Sequence, residues 1–157
     1  MKIQTEQQML EILNDYIDYV NTSATKSINY NLPFTVLSHS FEERSITYAF
    51  ETADWMQNPY GTVHGGMITT MLDLVMGVTT RAFCGNFTST VNLSVNFLNP
   101  VPLDDIMTVK TTATQVGGTF IQMTAEATVQ STGKLCATGS AAFYCHKNIS
   151  YRNTPVE

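Results

Sequence analysis

The chain has 157 residues, a length at which one domain with a single core buries roughly two thirds of its unfolded surface. With 43% hydrophobic and 13% charged residues, a net charge of −5 and eight scattered Lys and Arg, it lacks the clustered basic face that nucleic acid requires. Its three cysteines, Cys84, Cys136 and Cys145, show neither CxxC nor metal-ligand spacing, which predicts reduced thiols and no zinc site.

The first 18 residues mix charges with apolar side chains, unlike a signal peptide, and no later stretch holds about 18 uncharged apolar residues. The expectation is a cytoplasmic protein, neither exported nor membrane-spanning. Met9, Ile12, Leu13, Tyr16, Ile17 and Val20 fall at helical spacing behind Thr5 and Gln8, which are placed as a capping box. They predict an amphipathic first helix whose apolar stripe packs onto the fold. A loop rich in Asn, Ser and Pro covers 21–33, and 34–39 and 45–51 then read as the strands of a hairpin. A second loop, 54–63, leads into an apolar segment from Gly65 to about Ala82, long enough to be a helix. After it, 88–98, 106–115, 119–130 and 134–145 are rich in Val, Thr, Ile and Phe and joined by short turns such as Gly117-Gly118. They predict four strands in an antiparallel meander. The whole is one α+β domain, 1–157, with a sheet wrapped around the second helix: helix and loop 1–33, core 34–145, tail 146–157.

The second helix carries apolar residues on almost every face, and Asp73 is the only charge between Asp54 and Arg81. A carboxylate in such a helix is expensive unless it is hydrogen-bonded, paired or wet. Gly66 and Asp73 are seven residues apart, two helical turns, so the carboxylate shares a face with the glycine-rich start, near Thr69, Thr70 and Gly77. At that start the first N–H groups have no intrahelical partner and carry the positive end of the helix dipole. Gly65 and Gly66 lack a Cβ, so a carbonyl on which negative charge develops can approach those donors closely. His64 fixes the turn or lines the pocket.

The run Asn58-Pro-Tyr-Gly61-Thr-Val-His64-Gly65-Gly66, followed by Asp73 in Leu-Asp-Leu and by Val95-Asn96-Phe97-Leu98-Asn99-Pro100, resembles the hotdog-fold thioesterases of the PaaI-like type over about residues 34 to 145. The resemblance implies a hotdog fold, a long helix wrapped by an antiparallel sheet, here with an extra N-terminal helix. It implies dimers that pair their sheets edge to edge, often dimers of dimers, with active sites at the interface. It implies hydrolysis of acyl-CoA to free acid and coenzyme A, with no cofactor beyond the coenzyme A of the substrate. In such enzymes the Asn lines the site, the first Gly after the His donates its N–H to the thioester oxygen, and the helix carboxylate comes from the partner subunit as general base or nucleophile. These correspond to Asn58, Gly65 and Asp73. A hydroxyl near the start of the next strand places the water or the carboxylate; Thr90 is the nearest match where Ser is more usual, with Ser89 as a substitute.

Gly66 and Trp55 are further candidates for binding substrate, Trp55 at the mouth of the site. His39 and His146 are expected at strand edges, Met67, Met71, Met76 and Phe83 in the core, and Cys145 with His146 on opposite faces of a strand. Lys134, Lys147 and Arg152 are candidate cations for the coenzyme A phosphates by position. The low charge content and the shared site both predict a homo-oligomer. Two other functions fit the same pattern: a hotdog protein that binds acyl-CoA without turnover, and an acyl hydratase or dehydratase, for which no second His–carboxylate constellation is present.

Overall fold

A computed structural model describes residues 3–147. Helix α1 (Glu6–Thr22) begins where the Thr5 hydroxyl accepts the Gln8 N–H, and the Gln8 side chain accepts in return from the Gln4 N–H, one residue earlier than a standard capping box. Met9, Leu13, Tyr16 and Val20 form its buried stripe, packed on the second long helix. The 21–33 segment, expected as loop, contains one helical turn, α2 (Ile28–Asn31), capped by Ser27. So short a helix leaves no periodic trace in the sequence.

The expected hairpin is β1 (Thr35–Ser40) with β2 (Ser45–Glu51). A 3-10 turn at Asp54–Met56 and a loop precede α3 (Gly65–Cys84). Four strands follow: β3 (Thr88–Phe97), β4 (Ile106–Val116), β5 (Phe120–Val129) and β6 (Leu135–Cys145). All six form one antiparallel sheet in the order β1-β2-β4-β5-β6-β3.

That order corrects the expected four-strand meander. Only β4, β5 and β6 form one; β3 lies at the far edge beside β6, and β2 occupies the flank of β4. The cause is the connection after β3, which is no hairpin turn. Val101 is fully buried and its carbonyl accepts the Val63 N–H, while Thr52 donates its hydroxyl to the carbonyls of Pro102 and Asp105. The connection is thereby tied to the end of β2, so the chain crosses the sheet before β4 begins.

Helix α3 lies in the concave face of the sheet, packed against β2 to β6. It can approach closely because Ala125, Ala127, Ala137, Gly139 and Ala141 line the strands beneath it: a Cβ on Gly139 would stand 3.0 Å from the Leu72 side chain. Met71, Leu72, Val75 and Met76 are fully buried, each contributing about 1.5–3 kcal/mol from the area it removes from water. Among the described residues α3 is the one helix long and apolar enough to cross a membrane, and 72% of that stretch is buried inside the fold.

A chain of hydroxyls crosses this core. Thr111 donates to the Ile46 carbonyl at 3.0 Å, so its oxygen is left to accept from Thr79 at 2.7 Å, and Thr79 accepts from the Tyr48 hydroxyl at 2.8 Å. Burial pushes the Tyr48 phenol well above its ordinary pKa, with the Thr79 hydrogen bond opposing.

Candidate active site

Residues 56–64 are held in place by backbone bonds, the His64 N–H to the Met56 carbonyl at 2.8 Å and the Asn58 N–H to the Thr62 carbonyl at 2.7 Å. The Asn58 side chain closes this loop. Its Oδ1 accepts the N–H groups of Tyr60 and Thr62, its Nδ2 donates to the Thr62 hydroxyl, and Gly61 turns at φ 78°. Asn58 therefore stands beside the glycines as expected, with its polar atoms engaged in the loop.

His64 is the N-cap of α3: extended at φ −62°, ψ 137°, it accepts the Gly66 N–H on Nδ1 at 2.8 Å. A ring accepting on Nδ1 carries its proton, when neutral, on Nε2. A Cβ at Gly66 would sit 3.0 Å from that same Nδ1, so a side chain there would press on the cap. With Gly66 committed to the cap, the Gly65 N–H is the donor at the helix terminus that meets no acceptor among the described residues. It opens into a groove of about 320 Å³ whose walls include Asn58, Thr62, Ile68, Phe97 and Leu98. The Phe97 ring lies over Gly65, 3.2 Å from where a Cβ would be.

Further along α3, the positions not buried include the stripe Gly66, Thr69, Thr70, Asp73 and Gly77, with the partly buried Met67 beside it. Asp73 is half-buried, and its Oδ1 accepts the Thr90 hydroxyl at 2.8 Å. A bulge between Thr90 and Asn92 in β3 adds one residue at that point and re-aims the strand. Asp73 and Thr90 line a second cavity, of about 210 Å³, together with Tyr16, Gly77, Arg81 and Phe87. Asp73 and Gly65 thus face different cavities of the same chain, separated by eight residues of helix, or about 12 Å along its axis.

The other sequence candidates fall elsewhere. Ser89 shares a 2.8 Å hydrogen bond with His146 Nε2, so its hydroxyl serves β6 and not Asp73. Trp55 is exposed in the 3-10 turn and is not among the walls of either cavity. His39 stands 3.2 Å from Glu6. Lys134 precedes Leu135, whose carbonyl accepts from Asn99 on the wall of the Gly65 groove, whereas Lys147 follows β6 at the opposite end. Arg152 lies outside the described residues.

Arg81 was not expected at the site. It is 8% exposed, the one charged side chain buried among the described residues, with its guanidinium carbon 4.1 Å from the Tyr16 ring centroid and 5.8 Å from that of Phe87. Burial lowers its pKa from the ordinary value, opposed by Tyr16. The sequence held one signal for it: Arg81 is eight residues, or two turns, beyond Asp73 on the same face.

Residues 60–136 match the family model described as the thioesterase superfamily. The acyl-coenzyme A thioesterase THEM4 of Xenopus laevis is 32% identical over 76 residues, 48% of this chain and 34% of that protein. The chain spans between 34% and 47% of the length of three curated relatives it matches. Among solved structures, the Escherichia coli PaaI protein of the phenylacetic acid degradation operon superposes with a TM-score of 0.77 at 16% identity, over 94% of this chain and 99% of that one. The smu.793 protein of Streptococcus mutans, solved bound to acetyl CoA, superposes with a TM-score of 0.67 at 22% identity, over 73% and 89%. Sheet order, central helix and superposition agree on the hotdog fold of these solved structures, and within it residues 60–136 are similar to the thioesterase superfamily.

Proposed function

We propose that the protein hydrolyses acyl-coenzyme A thioesters in a site made by two copies of the chain. The Gly65 N–H of one copy polarises the thioester carbonyl, and Asp73 of the other activates water or attacks the carbonyl carbon directly. In the first route a C–O bond to water forms as the C–S bond breaks, and coenzyme A leaves with the proton taken from water; in the second, coenzyme A leaves as an acyl–Asp73 anhydride forms, and water then cleaves that anhydride to free acid and Asp73, its proton passing to the thiolate. Neither step calls for a metal or a cofactor.

Chief support comes from the Thr90–Asp73 pair, a carboxylate fixed by a hydroxyl on the open stripe of an otherwise buried helix. Two chains are required because Gly65 and Asp73 face different cavities. Strand β3 supplies the surface for pairing, since it is a ten-residue edge strand that exposes Val91 and Phe97. An unpaired edge of that length invites a second sheet. The acetyl-CoA complex of the Streptococcus mutans neighbour supports coenzyme A as the carrier, and Lys134, next in sequence to Leu135 whose carbonyl accepts from Asn99 of the Gly65 groove, is our candidate cation for its phosphates. The protein acts in the cytoplasm, as a dimer or a dimer of dimers.

Purified protein is incubated with acyl-CoA thioesters from short aliphatic to phenylacetyl and benzoyl, and a thiol reagent reads the coenzyme A released. Release that is lost in Asp73→Asn supports hydrolysis. Binding without release marks a sensor, and a change of enoyl-CoA absorbance marks a hydratase.

A further inference from the structure

The two cavities differ in how they meet solvent. Phe97, Leu98, Asn99 and Pro100 on the Gly65 groove are exposed, whereas Tyr16, Leu74, Val78, Arg81 and Phe143 around the Asp73 cavity are buried. Coenzyme A must keep its phosphates in water, so its arm takes the groove. The acyl chain is left with the cavity whose walls are buried.

Asp73, Gly77 and Arg81 follow one another at four-residue spacing, a row along α3. Gly77 leaves the middle of the row without a side chain: a Cβ there would be 3.5 Å from Phe143, an ordinary contact, so the packing itself does not demand glycine. A slot therefore runs along the helix beyond the carboxylate, and its far end is a wall supplied from outside residues 60–136. The Tyr16 ring of α1 lies with its centroid 4.1 Å from the Arg81 guanidinium carbon, and the Tyr16 hydroxyl accepts the Asn29 amide of α2 at 2.7 Å. Each member of the wall is held by another, and the α1 stripe that carries Tyr16 is itself packed on α3. A chain reaching past this point has to part both the stack and the hydrogen bond.

We infer that Tyr16 and Asn29 set the upper length of the acyl chain, so that the protein takes straight acyl groups of up to about eight carbons and rejects longer ones. The inference rests on the proposed hydrolysis for placing the thioester beside Asp73. An apolar cavity of about 150 Å³ holds a six-carbon ring, and on that scale the slot of about 210 Å³ holds about six to eight carbons.

The test uses the full chain with acetyl-, hexanoyl- and dodecanoyl-CoA. The parent protein is expected to show a kcat/KM at least roughly tenfold higher for hexanoyl-CoA than for either of the others, because each methylene buried in the slot adds up to about fourfold until the chain meets the wall. Tyr16→Ala takes the wall away and is expected to raise the ratio of dodecanoyl to hexanoyl turnover at least roughly tenfold. Gly77→Val narrows the slot short of the wall and is expected to lower the ratio of hexanoyl to acetyl turnover by a similar factor. A parent kcat/KM for dodecanoyl-CoA equal to or above that for hexanoyl-CoA overturns the inference, as does a folded Tyr16→Ala protein with the parent's profile. Should Tyr16→Ala not fold, Asn29→Ala, at a half-buried position in α2, decides by the same ratio: a rise upholds the wall and an unchanged value overturns it. If the parent releases thiol from no acyl-CoA, hydrolysis is what fails, and calorimetry with the same compounds then decides: hexanoyl-CoA bound more tightly than dodecanoyl-CoA upholds the wall, and equal affinity or no binding overturns it.

Discussion

The Thr90 hydroxyl donates to Asp73 Oδ1 at 2.8 Å, so the acid on the open stripe of α3 is oriented by the first strand that follows the helix. Thr90 is exposed and its pairing with β6 is a backbone matter, so its side chain can be changed at little cost, within about 0.5 kcal/mol of stability. Thr90→Ala is expected to lower kcat on the order of tenfold with an unchanged thermal midpoint, and Thr90→Ser to restore it. Thiol release by the two variants, at equal midpoint, checks the hydroxyl's part.

Asp73→Asn keeps the shape of the side chain and still accepts from Thr90, but it cannot take a proton or attack a thioester. Turnover is expected to fall on the order of 10²-fold or more with little change of midpoint. A merely structural carboxylate behaves in the opposite way, because removing its charge shifts stability first. Midpoint and thiol release measured on one preparation tell the two apart.

Gly65→Val puts a side chain between the substrate carbonyl and the free N–H, and against the Phe97 ring 3.2 Å away. Phe97 is 55% exposed and can turn aside, so the fold is expected to survive. Loss of one oxyanion donor costs about 3 kcal/mol in the barrier, and kcat should drop accordingly. Parent-level hydrolysis by a folded Gly65→Val protein removes Gly65 from the chemistry.

Mixing the two inactive variants tests the shared site directly. If Gly65 and Asp73 act from different copies, dimers that pair a Gly65→Val chain with an Asp73→Asn chain contain one intact site and one doubly damaged site. Random exchange makes half of the dimers mixed, so about one quarter of parent activity should return. No recovery after verified exchange places both groups in one chain.

Stability can be read from the hydroxyl chain Tyr48 to Thr79 to Thr111 to the Ile46 carbonyl. Tyr48 is its terminal donor, so Tyr48→Phe removes one hydrogen bond and is expected to cost about 1 kcal/mol. Thr79→Val, in the middle, strands the Tyr48 hydroxyl as a buried donor and should cost more, about 1–3 kcal/mol. Urea unfolding of both variants gives the order, and an equal or inverted cost contradicts the chain.

Much of this was legible before any coordinates. The period of Met9, Leu13, Tyr16 and Val20 gave α1, Gly85 in the left-handed conformation ends α3 near the expected point, and Asp73 stood out because a lone charge in an apolar helix needs a reason. Strand order was hidden because alternation of apolar and polar residues marks a strand but not its neighbour. Nothing in the residues of β3 distinguishes pairing with β6 from pairing with β4. The bulge that re-aims Thr90 was likewise hidden, since it arises from register between two strands. Asn58 and His64 were found by motif, but their hydrogen bonds within the loop and the helix cap depend on the backbone turn at Gly61 and on α3 beginning at Gly65, which only the fold defines.

The placement of β3 beside β6 has a consequence for synthesis. Residues 88–97 leave the ribosome directly after α3, yet their one partner in the chain's own sheet, 135–145, is the last strand made among the described residues. Until then Thr90 sits on a segment with no ladder to hold it, and an apolar strand and helix wait uncovered, the circumstance in which nascent chains meet chaperones or one another. Translation must therefore pass residue 145 before the contact between Thr90 and Asp73 can become permanent, and a chain arrested within β5 would carry Gly65, Asp73 and Thr90 while lacking the strand that holds Thr90 in place.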